Sequence, residues 1–61
     1  MPPRLEVCTA FLADGETVCA RYALCTTVTV VAGGRRIVRE VCDRCRERME
    51  LPDHDVELRA R

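Results

Sequence analysis

Cys25-Thr26-Thr27-Val28-Thr29-Val30-Val31, followed by Gly33-Gly34 and then Ile37-Val38-Arg39-Glu40-Val41-Cys42, reads as a β-hairpin. The first arm is nearly all β-branched, which suits a pleated, half-buried surface. Two consecutive glycines supply the positive φ angles of a tight hairpin turn. Centring the turn on them pairs Val30 with Ile37, Thr26 with Val41 and Cys25 with Cys42, and predicts strands at about 22–32 and 35–42. Val28, Val30, Ile37 and Val41 then share one face, interrupted by Arg39. Thr27, Thr29, Arg36 and Glu40, with Val31 and Val38, take the other. One side of the hairpin is core and the other is mixed or wet.

The return strand delivers the chain into Val41-Cys42-Asp43-Arg44-Cys45-Arg46-Glu47-Arg48. A Cys-x-x-Cys at a strand-to-helix junction aims both thiols at one metal ion, and the N–H groups near the helix start favour thiolate charge. The run from Asp43 to Leu51 predicts a short helix of about 43–51. Asp43 suits the dipole at its start and Pro52 stops it. Cys45 and Met49 share a face, which would place Met49 beneath the metal end of the hairpin. So short a helix does not hold alone in water, so it needs an anchor.

The whole chain needs one too. Its 61 residues include one Phe, one Tyr and no Trp, but five Cys. Below about 70–80 residues a single core rarely supplies more than about 3–5 kcal/mol, so small domains add disulfides or a metal. Met1-Pro2-Pro3-Arg4 leads into no apolar run of signal-peptide length, and no stretch is long and apolar enough to span a membrane. The chain therefore reads as a single cytoplasmic domain, residues 1–61, with 1–6 and 52–61 as partly ordered tails. In a reducing compartment, an odd thiol count with a Cys-x-x-Cys selects zinc over a disulfide framework.

Cys42 and Cys45 belong to every sensible ligand set. Cys8 and Cys19 flank a loop that turns at Asp14-Gly15, and closing it is inexpensive because loop entropy grows only logarithmically. The competing set is Cys19, Cys25, Cys42 and Cys45, since the hairpin register puts Cys25 opposite Cys42. A Cys inside a β-branched run, however, packs as a small hydrophobe. His54 stands within reach of Cys45 as a further candidate, although a lone His between two Asp residues is expected to be solvated.

Cys8-x10-Cys19 with Gly15 before the second Cys, then Arg21 and Ala23, a hairpin, and Cys42-Asp43-Arg44-Cys45 resembles small bacterial and phage four-cysteine treble-clef zinc modules over roughly residues 8–48. The resemblance implies a small α+β zinc-stabilised domain ordered as knuckle, hairpin and short C-terminal helix. It implies one structural Zn2+ per chain on Cys8, Cys19, Cys42 and Cys45.

Four thiolates close a metal site, whereas a catalytic zinc keeps a position open for water. The chain is therefore expected not to be an enzyme. The first expectation for function is an accessory or regulatory module that works by protein–protein interaction or self-association, with Phe11, Leu12, Val31, Val38 and Leu58 as an apolar patch. The alternative is a nucleic-acid-binding zinc-finger regulator using Arg35, Arg36, Arg39, Arg44, Arg46 and Arg48. Zero net charge, the interleaved acids Glu40, Asp43 and Glu47, and the lack of an aromatic stacking platform weigh against it.

Overall fold

The computed structural model describes residues 2–60. Its sheet is built around the hairpin: β1 is Arg4–Val7, β2 is Tyr22–Ala32 and β3 is Arg35–Cys42, followed by helix α1 (Asp43–Arg48) and strand β4 (Val56–Arg59). Gly33 and Gly34 take φ of 57° and 75°, the two positive angles of the turn whose twist matches the strands it joins. The register runs from Ala32 opposite Arg35 to Cys25 opposite Cys42, as the turn centre dictates.

The segments expected to be loosely ordered tails both contribute strands. β1 pairs antiparallel with the start of β2, Arg4 opposite Cys25 and Val7 opposite Tyr22. β4 pairs parallel with β2 over Val28–Val31. Because β3 already pairs those same β2 residues, β4 lies on the opposite edge and β2 is the central strand. The described segments are held by a polar junction around Arg4. Its Nη2 donates to Glu40 at 2.9 Å and to the Thr27 hydroxyl, and its Nη1 lies 3.8 Å from Asp55. Asp55 in turn accepts the Thr27 backbone N–H at 2.9 Å, a bond that lowers its pKa below the ordinary carboxylate value. These contacts tie β1, β2, β3 and the approach to β4 into one sheet.

Helix α1 ends at Arg48, short of the 43–51 span expected from Pro52. Glu50 adopts a left-handed φ of 56°. Leu51 N–H reaches back to Arg46 O at 2.9 Å and Glu50 N–H to Glu47 O at 3.1 Å. This pair of bonds closes a Schellman motif. The chain therefore turns out of the helix before Pro52 is reached, and β4, not the helix, is the last element.

The core is made of small side chains. Cys8, Ala10, Ala23, Cys25, Val28, Val41, Cys42 and Cys45 are buried, together with Thr26. The largest fully buried side chain is Val41. Thr26 Oγ1 is buried without a hydrogen-bond partner among the described residues. An orphaned buried hydroxyl destabilises a fold by about 1–3 kcal/mol.

Two substitutions test these points by chemical denaturation of the folded protein. Thr26→Val removes the orphan hydroxyl and is expected to stabilise by about 1 kcal/mol. Glu50→Gly relieves the left-handed position and is expected to add about 0.5–1 kcal/mol. A lowered midpoint in either variant would refute the corresponding structural account.

Candidate metal centre

Four cysteines arrive at one point from three segments. Cys8 follows β1, Cys19 closes the loop after it, Cys42 ends β3 and Cys45 lies in the first turn of α1. The loop is internally tied. Leu12 N–H donates to Thr17 O at 2.7 Å and Gly15 N–H to Leu12 O at 3.0 Å. The Asp14 carboxylate accepts the Glu16 and Thr17 N–H groups at 2.9 Å each and the Thr17 hydroxyl at 2.5 Å. The Thr17 side chain, then these backbone N–H groups, hold the Asp14 pKa down to about 2.

This small hairpin brings its two ends together. Cys19 N–H bonds to Ala10 O, Ala20 N–H to Cys8 O and Cys8 N–H to Arg21 O, each at 2.9 Å. Ala20 turns the chain with a φ of 56°. Thr9 docks the knuckle on β3: its N–H donates to Glu40 O at 2.8 Å, and its hydroxyl accepts the Glu40 N–H at 2.9 Å.

The sulfurs of Cys8, Cys19, Cys42 and Cys45 all lie within 4.8 Å of one another. Cys8 to Cys45 is 3.8 Å and Cys19 to Cys42 is 3.9 Å. A tetrahedral site with metal–sulfur bonds of about 2.3 Å has sulfur–sulfur edges of about 3.8 Å, so these donors are spaced for a metal ion. The same distances are far beyond the roughly 2.05 Å of a disulfide, and all five cysteines are free thiols. The four can hold one metal ion.

Electrostatics distinguish the four. Burial works against ionisation of Cys42, but the Cys45 backbone N–H, the Cys8 and Cys45 thiols and Arg21 overcome it and bring its pKa down to about 7. Burial pushes Cys8 up, and burial with the neighbouring Cys42 pushes Cys45 up to about 12. Cys42 is therefore the thiol readiest to ionise, whereas a cation must displace the protons of Cys8 and Cys45. Two guanidinium groups flank it. Arg21 contacts Asp43 at 2.6 Å and also stands beside Cys42. Arg48 donates to Phe11 O at 2.6 Å and stands beside Cys45. A dication on four thiolates carries a net charge of −2, which Arg48 and the Asp43-paired Arg21 would offset in part.

Cys25 lies outside the cluster. Its thiol donates to Ala23 O at 3.4 Å and Glu6 O at 3.5 Å, and burial raises its pKa to about 11. His54 is exposed beside Asp53, 3.6 Å away. Met49, just past the end of the helix, lines an apolar groove with Ala10, Phe11, Val41 and Leu51. The supporting role of Arg48 is not evident from the sequence, where its charge places it in the arginine-rich run. Its spacing of three from Cys45 on a helix is the signal that puts the two on one face.

Metal stoichiometry of single variants tests the assignment. Cys8→Ser is expected to lose stoichiometric metal and Cys25→Ser to retain it, as measured by elemental analysis of the purified chains. The reverse result would move the ligand role to Cys25. No protein-family model, curated protein or solved structure matches this chain.

Proposed function

We propose that this chain is a structural-zinc module of treble-clef type that acts as an accessory or regulatory protein through protein–protein contacts. The observation that carries the zinc reading is the placement of four metal-spaced sulfurs where, among the described residues, no fully buried side chain is larger than valine. A structural zinc site contributes about 10–16 kcal/mol of apparent binding free energy at pH 7, more than so small a core supplies. Tetrahedral coordination by soft thiolates suits borderline-soft zinc, and four protein ligands leave no position for a water nucleophile. The role is therefore non-catalytic. Reduced thiols are consistent with a cytoplasmic setting.

The interaction reading rests on apolar surface. Leu5 pairs with Leu24 and Val7 with Tyr22 across β1 and β2, and all four side chains are at least half exposed, Tyr22 by 66%. Phe11 and Leu58 belong to a separate groove. Val31 and Val38 lie on the other face of the hairpin from the core valines, so the five residues first considered as one patch divide between surfaces. The arginines also favour a protein partner over nucleic acid, because they serve separate contacts. Arg36 lies 3.8 Å from Glu57, Arg48 holds the knuckle, and Arg39 lines the groove.

Removal of the metal tests the zinc reading directly. Excess EDTA is expected to abolish amide NMR dispersion, and one equivalent of zinc per chain is expected to restore it. Dispersion that persists in EDTA with no metal bound would sink the structural-metal role. Iron in place of zinc in the native protein would overturn the metal assignment.

A further inference from the structure

The core face of the hairpin continues into an open groove of about 420 Å³. Its walls come from the knuckle (Phe11), β2 (Val30), the segment after α1 (Met49 and Leu51) and β4 (Leu58). None of the residues lining it is acidic, and one, Arg39, is charged. Arg39 interrupts an otherwise apolar strand face, opposite Val28, and is half-buried. Its Nη1 donates to the adjacent Val38 O at 3.1 Å. Among the described residues no carboxylate lies within ion-pairing distance of it. A guanidinium with unused donors, its stem set in an apolar wall, is complementary to a carboxylate attached to apolar groups.

Resting on the protein-interaction reading above, we propose that this groove docks a segment of a partner protein that seats large apolar side chains between Phe11, Met49, Leu51 and Leu58 and presents an Asp or Glu carboxylate to Arg39. A protein segment fits better than a small amphiphile. Phe11, Met49 and Leu58 are each about 40% exposed at the rim, and a ligand confined to the groove would leave that rim wet. A longer segment would cover it, with the Arg39 carboxylate fixing its register.

Selection of random twelve-residue peptides displayed on phage against the metal-loaded full chain tests the proposal. The expected winners combine two or more large apolar residues with an Asp or Glu. As synthetic peptides they are expected to shift the amide resonances of Val30, Leu51 and Leu58. Arg39→Gln is expected to weaken binding about tenfold, with Arg39→Lys retaining part of it. Leu58→Glu, on an exposed rim, is expected to abolish binding and provides a second variant should Arg39→Gln fail to fold. Peptides that map to Leu5, Val7, Tyr22 and Leu24 would overturn the groove while leaving the interaction reading intact. Binding unchanged by Arg39→Gln, with fold and metal content preserved, would overturn the carboxylate contact. Decanoate occupying the groove when no peptide binds it would replace the protein segment with a small amphiphile. Failure to select any peptide at either surface would count against the interaction reading itself.

Discussion

The convergence of four sulfurs within 4.8 Å is the constraint on which the rest of this structure depends. Knuckle, hairpin and helix share little buried apolar surface. Among the described residues, eight hydrophobic side chains are buried, and three of them, Cys8, Cys42 and Cys45, belong to the cluster. A helix of six residues does not persist on its own propensity. It persists here because Cys45 belongs to the cluster, because Arg21 reaches Asp43 at one end, and because Arg48 holds the knuckle carbonyl at the other. The clustered cysteines and their flanking arginines thus stand in for the hydrophobic packing that normally fixes a helix on a sheet.

Away from the cluster, the fold relies on polar junctions and a well-specified central strand. Arg4, Thr27, Glu40 and Asp55 join the strands where apolar layers are thin. This economy of core leaves two apolar regions at the surface. One is the face carrying Leu5, Val7, Tyr22 and Leu24, and the other is the groove around Arg39. The two differ in chemistry, since among the described residues only the groove carries a cation without a carboxylate partner.

Legibility of the structure in the sequence followed the range of the interactions. The hairpin was readable to the residue because two adjacent glycines define a turn, and the turn sets every pair up to Cys25 and Cys42. The helix start was readable from Cys42 and Asp43. Its end was not, since Pro52 marked only the outer limit while Glu50, a residue with no preference for left-handed geometry, made the actual turn. β1 and β4 were expected only as partly ordered tails because each is four residues long. Strands that short carry too little alternation to identify, and their order comes from pairing with β2 and from the Arg4 junction.

The division at the cluster has the same physical basis. Residue type and spacing along the chain determined that Cys42 and Cys45 would act together, since three residues across a strand-to-helix turn is a local geometry. The grouping of Cys8 and Cys19 with them, and the exclusion of Cys25, was decided by tertiary structure. Cys25 sits directly opposite Cys42, yet its thiol turns to the Glu6 and Ala23 carbonyls, while the bonds between Thr9 and Glu40 carry the knuckle across to the hairpin end. Linear spacing does not encode those bonds, because they join residues whose proximity exists only once the sheet has formed.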